Sequence, residues 1–173
     1  KTYIRNNQPA IVNVKFDKNK MINPGVYTDR ITAYRDDASA TPEFTMIATV
    51  IIPEEFNSYN KYSLNWQNQN VNIGMVNRYF INIPAGQNSL HIKLNRIDKD
   101  YARIRYRLYD QNGIAQYLSP TMYSVNSDEV IESYHYDLTP GVYELIAEGL
   151  FNSSASTNYD LSAELLSIQT SGD

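Results

Sequence analysis

Ile104-Arg105-Tyr106-Arg107-Leu108-Tyr109, followed by Asp110-Gln111-Asn112-Gly113 and then by Ile114-Ala115-Gln116-Tyr117-Leu118, decides the fold class. Ile104, Tyr106 and Leu108 alternate with Arg103, Arg105 and Arg107, so an extended strand here has one apolar and one cationic face. The arginines read as one solvated strand face, not as a nucleic-acid patch. Asn112-Gly113 between two runs of strand formers is a strong hairpin signal. It predicts a type I′ turn with positive φ at both central residues.

The same period of two recurs on either side. Leu90, Ile92 and Leu94 alternate with His91, Lys93 and Asn95, and Tyr159, Leu161, Ala163 and Leu165 alternate with Asp160, Ser162 and Glu164. Toward the N-terminus, Ala10, Val12, Val14 and Phe16 alternate with Ile11, Asn13, Lys15 and Asp17, and Tyr27–Tyr34 is rich in β-formers. Phe44–Ile52 is apolar on both faces toward its end, as expected of a strand covered on two sides. Pro24-Gly25, Pro84-Ala85-Gly86 and Pro140-Gly141 punctuate these runs, and no helical period appears. Gly141 is expected at position i+2 of a type II turn, where φ is positive.

These signals predict an all-β chain, an antiparallel β-sandwich or jelly roll over residues 60–170 preceded by a partial immunoglobulin-like β module over 1–55. The echo of Pro24-Gly25-Val26-Tyr27 in Pro140-Gly141-Val142-Tyr143 fits two such units. The polar stretch Pro53-Glu54-Glu55-Phe56-Asn57-Ser58-Tyr59-Asn60 is expected to join them, with Glu54 to Lys61 an exposed connector. Lys1 opens without Met into polar sequence, and Ile11 to Phe16 reads as a strand in mid-fold, so a segment of a longer protein is expected.

Of 173 residues, 42% are hydrophobic and 20% charged, the balance of a chain that buries a core. A net charge of −4 argues against a polyanion-binding surface and so against nucleic acid. Without cysteine there is no disulfide frame, thiol nucleophile or Cys-bound zinc. No run approaches the ~18 apolar residues of a membrane span, and no signal peptide is visible. The fifteen tyrosines read first as strand packing, each ring apolar with a hydroxyl that reaches a polar partner.

Residues for catalysis are missing from the pattern. His91 and His135 lack a neighbouring nucleophile signature, and the serines gather in loop-like runs such as Ser153-Ser154 and Ser156. No cofactor is implied. A structural calcium would draw on Asp110-Gln111-Asn112-Gly113, on Asp98 and Asp100, or on Asp36-Asp37. Each reads more simply as a turn in which Asp bonds its own backbone. Trp66, the single tryptophan, lies in the polar run Ser63-Leu64-Asn65-Trp66-Gln67-Asn68 and is the candidate for a binding surface. Asn152-Ser153-Ser154 matches the glycosylation acceptor of secretory proteins.

Two segments resemble the region downstream of the catalytic domain in tripeptidyl peptidase II, a family of subtilisin-like serine exopeptidases. One is Pro24-Gly25-Val26-Tyr27-Thr28-Asp29 through Ala33-Tyr34-Arg35-Asp36, where the family's His before the Tyr is missing and Arg35 interrupts its Tyr-Asp pair. The other is Arg78-Tyr79-Phe80-Ile81-Asn82-Ile83-Pro84-Ala85-Gly86. Beyond Gly86 the layout is similar to bacterial pre-peptidase C-terminal domains, through Leu108-Tyr109-Asp110-Gln111-Asn112-Gly113, Leu138-Thr139-Pro140-Gly141-Val142-Tyr143 and Tyr159-Asp160-Leu161. Both resemblances imply a non-catalytic β-sandwich region of a secreted or self-assembling peptidase, active in scaffolding, assembly or substrate access. The implied partners are the parent's catalytic domain and sister subunits, and the implied location is a bacterial cell surface or the exterior. The alternative expectation is a carbohydrate- or matrix-binding module of a secreted or surface protein.

Overall fold

The computed structural model describes residues 11, 13–34, 40–97, 102–123 and 129–166. Ala10, Val12, Arg35, the Asp36-Asp37 pair, Asp98-Lys99-Asp100 and Gly172 lie outside the described residues. Apart from one 3-10 turn at Lys18–Lys20, the regular elements are all strands. β1 (Gly25–Tyr34) and β2 (Pro42–Ile52) pair antiparallel as a two-stranded sheet. The remaining strands form two facing sheets. The first runs β3 (Glu54–Glu55), β5 (Val76–Ile83), β10 (Gly141–Gly149), β7 (Ile104–Tyr109) and β8 (Ala115–Leu118). The second runs β4 (Ser63–Val71), β11 (Thr157–Leu165), β6 (Leu90–Arg96) and β9 (Val130–His135). The expected antiparallel sandwich is what the chain forms.

Its order is that of one long hairpin rolled over on itself. β4 pairs with β11, β5 with β10, β6 with β9 and β7 with β8, first with last and inward in turn. Rolling then brings β11 beside β6 and β10 beside β7. The alternating residues fill the space between the sheets. Leu90, Ile92 and Leu94, Ile104, Tyr106 and Leu108, Tyr143, Leu145 and Ala147, and Tyr159, Leu161 and Ala163 share one core with Ile81 and Ile83. Full burial of one large apolar side chain stabilises by roughly 1.5–3 kcal/mol. A slip of one residue would turn a whole strand's set outward, so register is fixed by this core. Arg96 is fully buried at the end of β6, where its Nη1 donates to the Ala102 carbonyl at 2.9 Å.

Five local expectations differ from the structure. Ile11 to Phe16 is expected as a strand, but its described residues, Ile11 and 13–16, form none. β2 is not covered on two sides: Phe44, Met46, Ile47 and Ile51 are all exposed, Ile47 at 73%. Among the described residues no second sheet covers this pair of strands. Glu54 to Lys61 is not a free connector, because Glu54–Glu55 pair in parallel with β5 and Phe56 enters the core. The Asn57 and Asn60 side chains fold the rest into a turn, with Asn57 Oδ1 accepting from the Tyr59 and Asn60 amides.

The β7–β8 turn is not type I′. Gly113 has φ 74°, whereas Asn112 is not among the residues of positive φ. The turn spans Asp110–Gly113, closed by the Gly113 amide on the Asp110 carbonyl at 2.9 Å. Asp110 Oδ1 accepts from the Asn112 and Ile114 amides at 2.8 and 2.9 Å, and that carboxylate cap makes the tight two-residue loop unnecessary. Gly141 has φ 147°, positive as expected but not the about +80° of a type II turn. It opens β10 opposite Ile83, as Gly25, with φ 151°, opens β1. The Pro-Gly-Val-Tyr echo is therefore one strand-launching conformation used twice.

Gly141→Val places a β-branched residue at a φ that L side chains rarely adopt, where its Cβ also meets the Gln111 side chain. It should destabilise by about 1–3 kcal/mol, and Gly113→Val by a similar amount. Tyr59→Ser, at a side chain 98% exposed, should stay within about 0.5 kcal/mol. Urea unfolding of the variants beside the parent chain checks this. Equal midpoints for Gly141→Val and Tyr59→Ser would contradict the strand-launching role.

Candidate binding faces and buried polar clusters

The outer face of the five-stranded sheet is a closed ladder of charges. Glu148 on β10 takes Arg105 Nε at 2.7 Å and Arg107 Nη2 at 3.0 Å, both from β7. Arg78 on β5 pairs with Glu144, and its guanidinium lies over the Phe80 ring. Hydrogen bonds from Arg105 and then Arg107 hold the Glu148 carboxyl below its usual range. Arg105 and Arg107 are thus ion-paired across strands; Arg103 keeps its place in β7's phase, its amide donating to Ser153 Oγ at 2.7 Å.

Trp66 stands on β4 with its ring half-buried. Its centroid is 4.5 Å from that of Tyr79 on β5, and its Nε1 donates to Glu54 Oε1 of β3 at 2.7 Å. Behind it the Tyr79 and Tyr159 hydroxyls meet at 2.7 Å, linking the two sheets. Asn77 Nδ2 donates both to Tyr159 and to the Asn70 carbonyl at 2.8 Å. Burial pushes the phenols of Tyr79 and Tyr159 above their ordinary range, so both stay protonated donors. The indole is engaged inward, as a clasp between β3 and the two sheets.

A second polar chain crosses the sandwich at its other end. Tyr106 on β7 bonds Ser133 on β9, and Ser133 Oγ lies 2.7 Å from His135 Nε2. The Tyr117 ring meets the His135 imidazole edge-on at 4.9 Å. Sequence reading did not pair this serine with this histidine, although their spacing of two on one strand puts them on one face. The pair is not a catalytic dyad in form. Ser133 is buried, its hydroxyl is held from both sides, and among the described residues no carboxylate hydrogen-bonds to His135. Burial lowers the His135 pKa. A neutral ring with its proton on Nδ1 accepts at Nε2 from Ser133, whose oxygen is then free to accept from Tyr106. Protonation would make Nε2 a donor and reverse the Ser133–His135 bond.

Asp110, the head of the would-be calcium loop, has both carboxylate oxygens engaged, Oδ2 by Gln116 Nε2 at 3.0 Å. Among the described residues no three of His, Asp and Glu gather as metal ligands.

The outer face of the four-stranded sheet is different in kind. Cross-strand neighbours run Asn65–Ser162–Lys93–Glu132, with Asp160–Asn95 beside them and Glu164–His91–Tyr134 on the other side. Asn65, Gln67, Lys93, Asn95, Asp160 and Ser162 line a depression of about 150 Å³. β4 bulges there, with Gln67 and Asn68 both opposite Asp160 of β11, and Asn68, at φ 52°, donates its amide to Asp160 Oδ1 at 2.8 Å. Lys93 is held by Glu132 at 3.0 Å, and the exposed Tyr134 ring stacks on His91 at 4.5 Å. Sequence analysis missed this face because it is assembled from four strands far apart in the chain.

Two consequences are measurable. His135 binds a proton less readily folded than unfolded, so stability is complete above pH about 6.5 and falls as pH drops below it. His135→Gln should flatten the stability profile between pH 7 and 5, and an unchanged slope would refute the network. Trp66→Phe removes the donor to Glu54 and should cost about 1 kcal/mol in urea unfolding. In a Glu54→Gln background that loss should shrink, and full additivity of the two changes would show that the clasp is not coupled.

No family model matches the chain. Its sequence is 31% identical over 113 residues to pyrolysin of Pyrococcus furiosus, covering 64% of this chain and 7% of that protein. The chain thus spans a small fraction of the length of the curated relative it matches. Among solved structures, tripeptidyl peptidase 2 superposes with a TM-score of 0.67 at 14% identity, over 83% of this chain and 13% of that one. The pre-peptidase C-terminal domain of a Bacillus anthracis collagenase gives a TM-score of 0.35 at 15% identity, over 57% of this chain and 90% of that domain. The chain is accordingly similar in sequence to a segment of the subtilisin-like protease pyrolysin, and it has the β fold of a segment of tripeptidyl peptidase 2.

Proposed function

We propose that this chain is a non-catalytic accessory segment of a subtilisin-like serine peptidase, serving scaffolding, assembly or substrate access. The observation that carries the reading is the 31% identity to pyrolysin over 113 residues, 64% of this chain. The fold shared with a segment of tripeptidyl peptidase 2 over 83% of this chain supports it. So does the exposed apolar surface of β1 and β2, which suits a sheet completed by neighbouring protein. On this reading residues 1–55 belong to a partial immunoglobulin-like module and 60–170 to the sandwich, with Glu54 and Glu55 at the end of the first pairing onto the second through β5. The partners are the parent's catalytic domain and sister subunits, at a bacterial surface or outside the cell. The action is packing and surface complementarity. A carbohydrate- or matrix-binding module centred on Trp66 suits the geometry less well, since the indole faces Tyr79 and Glu54.

The test is made in the parent protein. Its reading frame should carry a subtilisin-type catalytic domain upstream of this segment. Deleting the segment should leave turnover of a short chromogenic peptide within about threefold, a change under 1 kcal/mol, while altering assembly size by sedimentation or cleavage of folded protein substrates. A frame without that catalytic domain would refute the proposal. So would peptide turnover by the purified chain alone that disappears in His135→Ala.

A further inference from the structure

We propose that the outer face of the four-stranded sheet binds a neutral saccharide, with one sugar ring seated among Asn65, Gln67, Asn95 and Asp160. A sugar hydroxyl both donates and accepts, so it is recognised by groups that do the same or that accept strongly. Three carboxamides and a carboxylate converge on the depression. Among the described residues the side chains of Gln67, Asn95 and Ser162 hold no hydrogen-bond partner, and Asp160 uses only Oδ1, toward Asn68. These groups are available in a way that the Arg–Glu ladder on the opposite sheet is not, where Glu148 alone ties two arginines.

The site is also built, not merely polar. The extra residue of a β4 bulge at Gln67–Asn68 lies opposite Asp160, and the left-handed Asn68 fixes the Asp160 carboxylate at the depression through the amide bond it donates. Bulges and strained residues of this kind re-aim side chains next to binding sites. The volume of about 150 Å³ falls well short of the roughly 300–1,000 Å³ of a drug-sized pocket. It suits one ring of a longer chain lying across the sheet. Charge points the same way: Lys93 is neutralised by Glu132, leaving Asp160 to disfavour an anion. The exposed Tyr134 ring, one residue pair along from Lys93–Glu132, offers an apolar step for sugar C–H groups. This site lies on the outward residues of β4, opposite the inward Trp66, and does not depend on the peptidase reading.

The experiment is a titration of the ¹⁵N-labelled chain with cello-, chito-, manno- and laminari-oligosaccharides. The side-chain NH₂ resonances of Asn65, Gln67 and Asn95 report directly on the site. With at least one of these sugars they should shift saturably, together with the Asn68 amide. Asn95→Ala and Gln67→Ala should each weaken binding about fivefold, as for loss of one hydrogen bond, with backbone spectra otherwise unchanged. Arg78→Ala, on the opposite sheet, should leave affinity as it was. The proposal is overturned if no sugar moves these resonances, if the shifts centre on Trp66 and Tyr79, or if the two amide variants bind as tightly as the parent chain.

Discussion

The sandwich depends on the contact between β6 and β11 in one sheet and β7 and β10 in the other. Every second residue of these strands is fully or nearly fully buried, from Leu94 and Leu161 on one side to Tyr106 and Leu145 on the other. The other strands attach to this pair of pairs. β4, β5, β8 and β9 flank it, and β3 is a two-residue addition clasped by Trp66. Because first pairs with last, the closing contacts join residues far apart in the chain, such as Leu64 with Ala163, 99 positions apart. Such an order delays core formation until distant segments meet, while β7 and β8 can zip locally around Asp110.

Tyrosine makes this core possible without leaving polar groups stranded. Tyr79, Tyr106 and Tyr159 carry their rings inward, yet each hydroxyl finds a partner on the facing sheet. Tyr143 is buried beside the β9–β10 connection, where its oxygen accepts from the Thr139 amide at 3.1 Å. The two outer faces then diverge. One is locked by arginine–glutamate pairs and the other presents amides around a bulge, so a single sandwich offers a rigid surface and a receptive one.

The sandwich was legible in the sequence where alternation is strict. β6, β7 and β11 write their inward residues as apolar except at two strand ends, Arg96 and Thr157, and Pro84-Ala85-Gly86 and Pro140-Gly141 mark real strand ends. β9 was missed because its inward positions are Ile131 and a hydrogen-bonded Ser133, which breaks the apolar pattern. β4 was missed as a strand because five Asn and Gln residues dominate it and its bulge at Gln67–Asn68 shifts its phase. β2 misled in the opposite direction. Its apolar faces imply two covering layers, and a two-stranded sheet supplies neither. Trp66 drew attention as a lone aromatic in a polar run, but the run's outward amides flank the depression and its indole points inward. No short-range signal could reveal that face, since its members meet only when β4, β11, β6 and β9 align.

Native-state hydrogen exchange tests most directly whether these four strands are the cooperative centre. Amides of β6, β7, β10 and β11 should exchange only through global unfolding, with the same free energy that urea unfolding gives. Those of β1 and β2, which contribute nothing to the core cluster, should exchange at least about a hundredfold faster. Protection in the β1–β2 hairpin equal to that in β10, or separate early opening of β6 and β11, would contradict the account.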